Sequence, residues 1–405
     1  KSITRRDLQE AIGKRLRTES RRRITRVINA TGIIVHTNLG RAPLAEELFD
    51  AIKQTVTGYG NIEFDLTSGK RGQRGAACEH YLALLAGAEA GTVVNNNAAA
   101  LFLILNTLAN RKKVAISRGE LVQIGGGFRI LDILRRAGGR LIEVGTTNIT
   151  TLRDYEDAIK AGATLLLKVH KSNFIQAGFT EEVDLPALVT LARNAGVFIV
   201  NDLGSGGFLP TRKLLGYDEP TVRQSVRAGA DLTCFSGDKL LGGVQAGLIV
   251  GNKALIDKLK KNPLFRTLRV DKIVFAALEK LLSIYLNGTQ NDDIKLWKLV
   301  STPESELYQR GQDILKELGK PSGLSVEGTH VYMGGGALPQ QALPSVAIVF
   351  DSKFSARKLL QRFREFTPPI IGRIENERFL LDLKAVDEAD LPYVTACISR
   401  ILDEG

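Results

Sequence analysis

Four short stretches carry residue types able to do chemistry. In Val93-Val-Asn-Asn-Asn-Ala-Ala-Ala-Leu-Phe102 an apolar run meets three asparagines and then a helical pattern. Asn95, Asn96 and Asn97 are favoured N-caps, and the amides that follow leave the helix start unpaired, a seat for a phosphate. Capping accounts for one Asn; three in a row leave a donor-rich pocket around Asn96, Asn97 and Ala98. Asp202 closes the apolar strand Val197-Phe-Ile-Val-Asn-Asp202 ahead of Gly204-Ser-Gly-Gly207. A carboxylate there either caps the next turn or holds a proton on a heterocyclic nitrogen. Ser236 and Lys239 lie in Thr233-Cys-Phe-Ser-Gly-Asp-Lys-Leu-Leu-Gly-Gly243, past another strand and wrapped in small residues. A Lys buried beside positive charge loses affinity for its proton and becomes a nucleophile able to form a Schiff base. Ser236 is placed to help bind a phosphate.

Other chemistries lack their residues. There is no GxxxxGK[ST], and no GxGxxG opens a helix. His36, His80, His170 and His330 are too scattered for HExxH spacing, and Cys78, Cys234 and Cys397 are odd in number and far apart. No metal site and no secreted disulfide framework is expected. Nor does any apolar run approach the roughly 18 residues of a membrane span. The expectation is a reduced, cytoplasmic protein.

The positioning elements follow from the texture of the chain. From about residue 90, β-rich runs alternate with amphipathic segments of helix length: 91–94 before 98–110, 113–116 before 128–138, 140–144 before 152–161, then 164–169, 185–195, 197–201, 222–229, 232–235 and 247–250 before 253–261. Such alternation implies right-handed crossovers and a mostly parallel sheet covered on both faces, with sites at the carboxyl ends of its strands. After about residue 290 the texture changes to a polar helix at 303–318, a Gly/Pro-rich break at 334–339, strands at 345–350, 370–375 and 378–383, and helices at 356–366 and 391–402. The reading is therefore α/β, with a basic N-terminal helical segment at 1–30, a large cofactor-binding domain at 31–290 and a small C-terminal α/β domain at 291–405. The 405 residues carry a net charge of +11, and residues 1–27 hold ten basic side chains against three acidic ones. That segment suits a polyanion partner, or a solvated face.

The chain order of phosphate turn, strand-end Asp202, then Ser236 and Lys239 is that of pyridoxal-phosphate enzymes of the aspartate-aminotransferase fold, fold type I. There Asp202 would keep the pyridine nitrogen protonated and Lys239 would carry the cofactor. The stretches Ile28-Asn-Ala-Thr-Gly-Ile-Ile-Val-His-Thr-Asn-Leu-Gly-Arg-Ala-Pro43, Gly69-Lys-Arg-Gly-Gln-Arg74, Asn95-Asn-Asn-Ala-Ala99, Asn201-Asp-Leu-Gly-Ser-Gly206, Phe235-Ser-Gly-Asp-Lys239 and Phe265-Arg-Thr-Leu-Arg-Val-Asp-Lys272 resemble bacterial selenocysteine synthase, L-seryl-tRNA(Sec) selenium transferase. The resemblance runs from about residue 28 to the C-terminus. It implies conversion of seryl-tRNA(Sec) to selenocysteyl-tRNA(Sec) with selenophosphate as donor, through loss of the β-hydroxyl and an aminoacrylyl ester on the tRNA. It also implies a homo-oligomer, at least a dimer and in the family a ring of five dimers. The family carries a longer N-terminal tRNA-binding region, so a start at Lys1 without Met reads as a trimmed N-terminus.

Within that resemblance Lys239 removes the α-proton, and Asp238 and His170 are the candidates to protonate the leaving hydroxyl. His170 could equally stack on the ring or be an ordinary hydrogen-bonded His. The acceptor is an ester, so arginines that clamp a carboxylate in ordinary amino-acid enzymes must serve another anion. Arg266 and Arg269, with Arg41, are expected to hold selenophosphate, with Arg373 nearby. Arg71 and Arg74 either bind a partner subunit's cofactor phosphate or cap a loop. Thr146 and Thr147 offer hydroxyls at the same sheet edge or form a turn. Gly125-Gly-Gly127, beside Gln123, either lets backbone approach the cofactor or simply turns. Two other readings use the same residues: a pyridoxal-phosphate lyase eliminating from a small amino or amino-sugar acid, with Arg373 on its carboxylate, and an RNA-binding protein with a vestigial fold.

Overall fold

In a computed structural model of the chain, residues 4, 5, 8, 9, 12, 13, 15, 19, 23–124, 127–172, 174–335 and 337–403 are described. Six of the ten N-terminal basic residues (Lys1, Arg6, Lys14, Arg17, Arg21, Arg22) and Gly125 and Gly126 lie outside them. The chain forms two compact units, Ile34–Thr302 with Tyr332–Leu343, and Lys1–Ile33 with Pro303–Val331 and Pro344–Gly405.

The larger unit is built on seven strands, β1 Ala90–Val94, β2 Lys113–Ser117, β3 Arg140–Val144, β4 Ala163–Val169, β5 Phe198–Gly204, β6 Leu232–Ser236 and β7 Gly247–Gly251. Their order is β1-β7-β6-β5-β4-β2-β3. Strands β6, β5, β4, β2 and β3 run parallel, and β7 is antiparallel to both its neighbours. Alternation along each strand sends side chains to opposite faces. Leu165, Leu167 and Val200 join one core with Leu101, Ile104 and Leu105 of the helix Asn97–Leu108. Leu166 and Ile199 join a second, with Tyr155, Leu188 and Ala192 from the helices Leu152–Lys160 and Leu185–Ala195. A sheet buried on both faces leaves its strand ends as the place where polar groups can gather.

The helices are placed by their caps. Asp184 accepts from Ala187 N–H before Leu185–Ala195, and Thr221 and Gln224 form a reciprocal capping box before Val222–Ala228. Gly196 and Gly229 close those helices in the left-handed conformation.

The smaller unit joins both ends of the chain. Ile28–Asn29 pairs in parallel with Ile370–Ile371, and a four-stranded sheet has the order Leu324–Gly334, Ala337–Phe350, Arg378–Asp382, Arg373–Glu375. Its core centres on Phe350, Phe363 and Phe379. The break expected at 334–339 is instead where two long strands end and begin. Gly334 (φ +73°) and Gly335 (φ +65°) supply left-handed backbone between them, so the glycines mark a turn rather than a loop.

Gly247 is the tightest point of the larger sheet. It pairs with Val94, and a Cβ there would overlap the carbonyl oxygen of Asn96 at the helix start. Gly247→Ala is expected to lower the free energy of unfolding by about 1–3 kcal/mol and to weaken cofactor binding. Gly60→Ala, where the nearest atom is 3.5 Å from the added carbon, should do neither. Denaturant unfolding with a cofactor titration on both variants reads the difference.

Candidate active site

The carboxyl ends of β1, β4, β5 and β6 bring the expected residues together. Asn96 (φ −165°, ψ 170°) caps the helix Asn97–Leu108, accepting from Ala99 N–H at 2.9 Å, while its own carbonyl takes Ala100 N–H at 3.0 Å. The amides of Asn97 and Ala98 are then the donors left over at the helix start among the described residues, which is what a phosphate requires. Asn95 faces elsewhere: its amide group donates to the carbonyls of Arg269 and Leu268.

Asn97 points its side chain across the strand ends. Its Nδ2 donates to Asp202 Oδ1 at 2.8 Å, and its Oδ1 is buried with no partner. Asp202 is 6% exposed. Burial pushes its carboxyl above the ordinary range, opposed by the Asn97 amide, the Lys239 ammonium, the Cys234 thiol and His170.

Lys239 is 5% exposed, and no hydrogen bond or ion pair holds its Nζ among the described residues. Burial holds its pKa below the ordinary lysine value, the Arg41 guanidinium adds to that, and Asp202, Asp238 and Glu219 act in the opposite sense. Ser236 is buried at the end of β6. A Cβ on Gly206 (φ +73°) would lie 2.6 Å from the Ser236 carbonyl oxygen, so no larger residue fits the loop after Asp202. Asn97, Ala98, His170, Asp202 and Lys239 line one cavity.

His170 ends β4. Its backbone N–H donates to the Asp202 carbonyl at 2.9 Å, and its Nε2 lies 3.0 Å from Glu219 Oε1. Asp238 does not open freely into the site: Arg41 Nη1 pairs with its Oδ2 at 2.5 Å, and its Oδ1 is buried without a partner. Arg41 has φ +67°, a left-handed conformation unusual for a non-glycine residue.

The other arginines sort into groups. Arg74, Arg266 and Arg269 line a cavity of about 520 Å³ together with Lys260, Lys261, Glu79 and Asp257, with Lys260 paired to Glu79. Glu63 gathers Arg74 at 2.9 Å, Arg71 at 2.9 Å and Arg269 at 3.6 Å, while Arg266 has no ion pair among the described residues. Arg41 is absent from that cavity's lining. Arg373 departs from the expectation that it binds a substrate anion. All five of its N–H groups are engaged within its own unit, by Glu375, Asp382, Thr329 and the carbonyls of Thr31 and His330. Thr146 closes a turn, its hydroxyl donating to Ile149 O at 3.0 Å and accepting Ile149 N–H at 3.1 Å, and the Thr147 carbonyl accepts from Gln176.

Sequence reasoning missed Glu219, Glu63, Lys260 and Lys261. Glu219 lies 49 residues from His170 in an unremarkable Asp-Glu-Pro turn, and no spacing rule links them.

These groups fit pyridoxal phosphate. An amine buried without a partner matches the aldehyde, a buried carboxylate matches a protonated ring nitrogen, two spare helix amides match the phosphate, and the orphaned Asn97 Oδ1 awaits a donor. Fold and site together define a pyridoxal-phosphate-dependent enzyme of the aspartate-aminotransferase fold, fold type I. D-glucosaminate-6-phosphate ammonia-lyase shares that fold with a TM-score of 0.67 at 20% identity, over 94% of this chain and 96% of that one.

Residues 27–387 match the family SelA, L-seryl-tRNA selenium transferase. The chain is 45% identical to the L-seryl-tRNA(Sec) selenium transferase of Aquifex aeolicus over 398 residues, 97% of this chain and 88% of that protein. It is 43% identical to that of Geobacter sulfurreducens over 397 residues, 96% and 86% of the two. It belongs to the L-seryl-tRNA(Sec) selenium transferase family, pyridoxal-phosphate enzymes that convert seryl-tRNA(Sec) to selenocysteyl-tRNA(Sec).

Removing the Arg41 guanidinium removes a cost on the charged form of Lys239, so its pKa rises. In Arg41→Met the midpoint of cofactor capture, followed by absorbance against pH in cofactor-free protein, should move to higher pH. A downward shift would contradict the placement of Arg41 in the field of Lys239.

Proposed function

We propose that the cavity at Lys239 is where this chain turns the seryl group of seryl-tRNA(Sec) into selenocysteyl, and that the residues around it divide the work as follows. The observation that carries the assignment is Lys239 buried without a partner in the same cavity as buried Asp202, within a chain of this family. Family membership favours the transferase over the lyase and RNA-binding readings.

Pyridoxal phosphate supplies, when bound, an aldehyde that condenses with amines and a ring that stores the electron pair released at Cα. The amides of Asn97 and Ala98, with Ser236, would hold its phosphate, and Asp202 would hold the proton on its ring nitrogen. Asn97 fixes Asp202 Oδ1 in place. Lys239, held low in pKa by burial, is deprotonated more readily than a surface lysine, so it would hold the cofactor through its amine and, when free, serve as the base for the seryl α-proton. Burial of Asp202 and Lys239 strengthens their polar contacts.

Selenophosphate is the selenium donor in this reading, bound in the cavity where Arg266, Arg269 and Arg74 converge with Lys260 and Lys261. Guanidinium forks suit phosphate oxygens, and Arg266 has no acidic partner to displace. The tRNA would meet the basic N-terminal segment. The protein works as a homo-oligomer, at least a dimer, a reading supported by exposed Tyr59, Phe64 and Leu66 around the strand pair Phe64–Asp65 and Lys70–Arg71. Among the described residues no helix is long and apolar enough to cross a membrane. An aminoacyl-tRNA substrate fits the cytoplasm.

Lys239→Ala should lose the visible absorbance of the bound cofactor and at least about 10³-fold in selenocysteyl-tRNA formation. Wild-type protein should act on seryl-tRNA(Sec) and not on free serine; turnover of free serine alone would return the lyase reading. Arg266→Ala and Arg269→Ala should each raise KM for selenophosphate about 10–100-fold while KM for seryl-tRNA stays within about twofold. Unchanged selenophosphate kinetics in both would remove the anion assignment.

A further inference from the structure

The reaction needs a second proton transfer besides the removal of the α-proton by Lys239. Hydroxide is a poor leaving group, and the seryl oxygen needs a proton as its bond to Cβ breaks. Asp238 and His170 are the candidate acids. Asp238 has its Oδ2 committed to Arg41, whereas His170 lines the cavity with Lys239 and Asp202.

Glu219 is the group that nothing so far assigns. It sits between the helices Arg212–Leu215 and Val222–Ala228, 3% exposed. Its backbone is held rigidly: Glu219 N–H donates to Thr211 Oγ1 at 2.7 Å, Thr211 Oγ1 donates to Tyr217 O at 2.9 Å, and Val222 N–H donates to Gly207 O at 2.9 Å. Its carboxylate meets His170 Nε2 at 3.0 Å. His170 is held from the other side by its own backbone, donating to Asp202 O and accepting at its carbonyl from Ser172 N–H, both at 2.9 Å. The ring therefore has one nitrogen facing a buried acceptor, which fixes the proton on Nε2 and leaves Nδ1 as the second nitrogen. No described group bonds Nδ1.

Other charges near His170 are already committed. Lys168 pairs with Glu120 at 2.6 Å and Lys171 with Glu182 at 2.8 Å. Asp202 is bonded by Asn97. Glu219 is thus the carboxylate placed against the ring, and its field reaches Lys239 as well.

We infer that Glu219 is the positioning residue of a Glu219–His170 pair through which His170 delivers the proton to the departing β-hydroxyl. The inference rests on the seryl-dehydrating reaction described above. The electron pair left when Lys239 removes the α-proton forms the Cα–Cβ double bond. The Cβ–O bond breaks with its pair on oxygen, and the Nδ1 proton of the His170 imidazolium moves to that oxygen, which leaves as water. His170 is then neutral, still donating from Nε2 to Glu219. Its side chain is 24% exposed, so solvent returns the proton. The charge of Glu219 matters beyond its hydrogen bond because it pairs with the imidazolium that donates.

The holoenzyme with seryl-tRNA(Sec) tests this. Glu219→Gln keeps the shape and a hydrogen bond but not the charge. It is expected to lower kcat for selenocysteyl-tRNA about 10–100-fold, to leave KM for seryl-tRNA within about twofold, and to keep the visible cofactor absorbance. Deuterium from solvent should still enter the seryl Cα, because Lys239 is untouched. Glu219→Asp should recover part of the rate, and His170→Asn combined with Glu219→Gln should fall no lower than His170→Asn alone. With the ring titrated to its neutral form, nitrogen-15 NMR should find the His170 proton on Nε2 in wild type and spread over both nitrogens in Glu219→Gln. Wild-type kcat in Glu219→Gln, equal loss of deuterium entry and turnover, multiplying losses in the double variant, or an unchanged tautomer would each overturn the pair.

Discussion

Everything at the carboxyl edge of the large sheet depends on keeping two opposite charges dry without letting them neutralise each other. Lys239 and Asp202 are each about 95% buried, yet no ion pair joins them. Burial raises the carboxyl of Asp202 and lowers the pKa of Lys239, the directions desolvation imposes on an acid and a base. A buried charge with incomplete compensation is costly, and in the proposed reading bound pyridoxal phosphate would supply the partners that both groups lack. Asn97 marks the incompleteness directly, with its amide hydrogen on Asp202 and its carbonyl oxygen unpartnered.

That constraint explains features that would otherwise look unrelated. The sheet must be covered on both faces, or water would reach the strand ends from the side; the two cores formed by alternating residues of β4 and β5 do this. The helix start at Asn96 must approach β7 closely enough to bring Asn97 over Asp202, and Gly247 permits it by lacking a Cβ. The loop after Asp202 must bend back toward Ser236, which Gly206 allows with its positive φ and absent side chain. His170 and Asp202 are tied by a backbone hydrogen bond between neighbouring strands, so a shift in one moves the other.

Much of this was legible in the sequence because each key residue follows its own apolar strand. Asp202, Lys239 and Asn97 could be placed by the strand–helix alternation alone, and the fold class with them. Three things were not legible, each for a physical reason. Strand direction leaves no mark in composition, so the antiparallel insertion of β7 between β6 and β1 is invisible to a period-2 pattern. Paired glycines at 334–335 read as a break, since the same residues serve loops and tight turns. Glu219 and Glu63 act by long-range pairing, and a lone Glu in a turn carries no local signature. The helix Lys272–Asn287, absent from the expected elements, buries Phe275, Leu278 and Leu282 at helical spacing.

The arginines show how one residue type can be given opposite tasks by its neighbours. Arg373 has five donors and five acceptors, two of them carboxylates, one of which, Asp382, is 1% exposed. A guanidinium so saturated has no free fork for a substrate carboxylate, and an acceptor esterified to tRNA presents none. Arg74, Arg71 and Arg269 share a single acid, Glu63, whose carboxyl is held below the ordinary range, first by the Arg74 hydrogen bond. One carboxylate against three guanidiniums leaves net positive charge beside a cavity whose own lining sets Arg74, Arg266, Arg269, Lys260 and Lys261 against Glu79 and Asp257. The saturated arginine supports structure, whereas the under-compensated cluster attracts an anion, and the difference lies in the count of acids around each rather than in the arginines themselves.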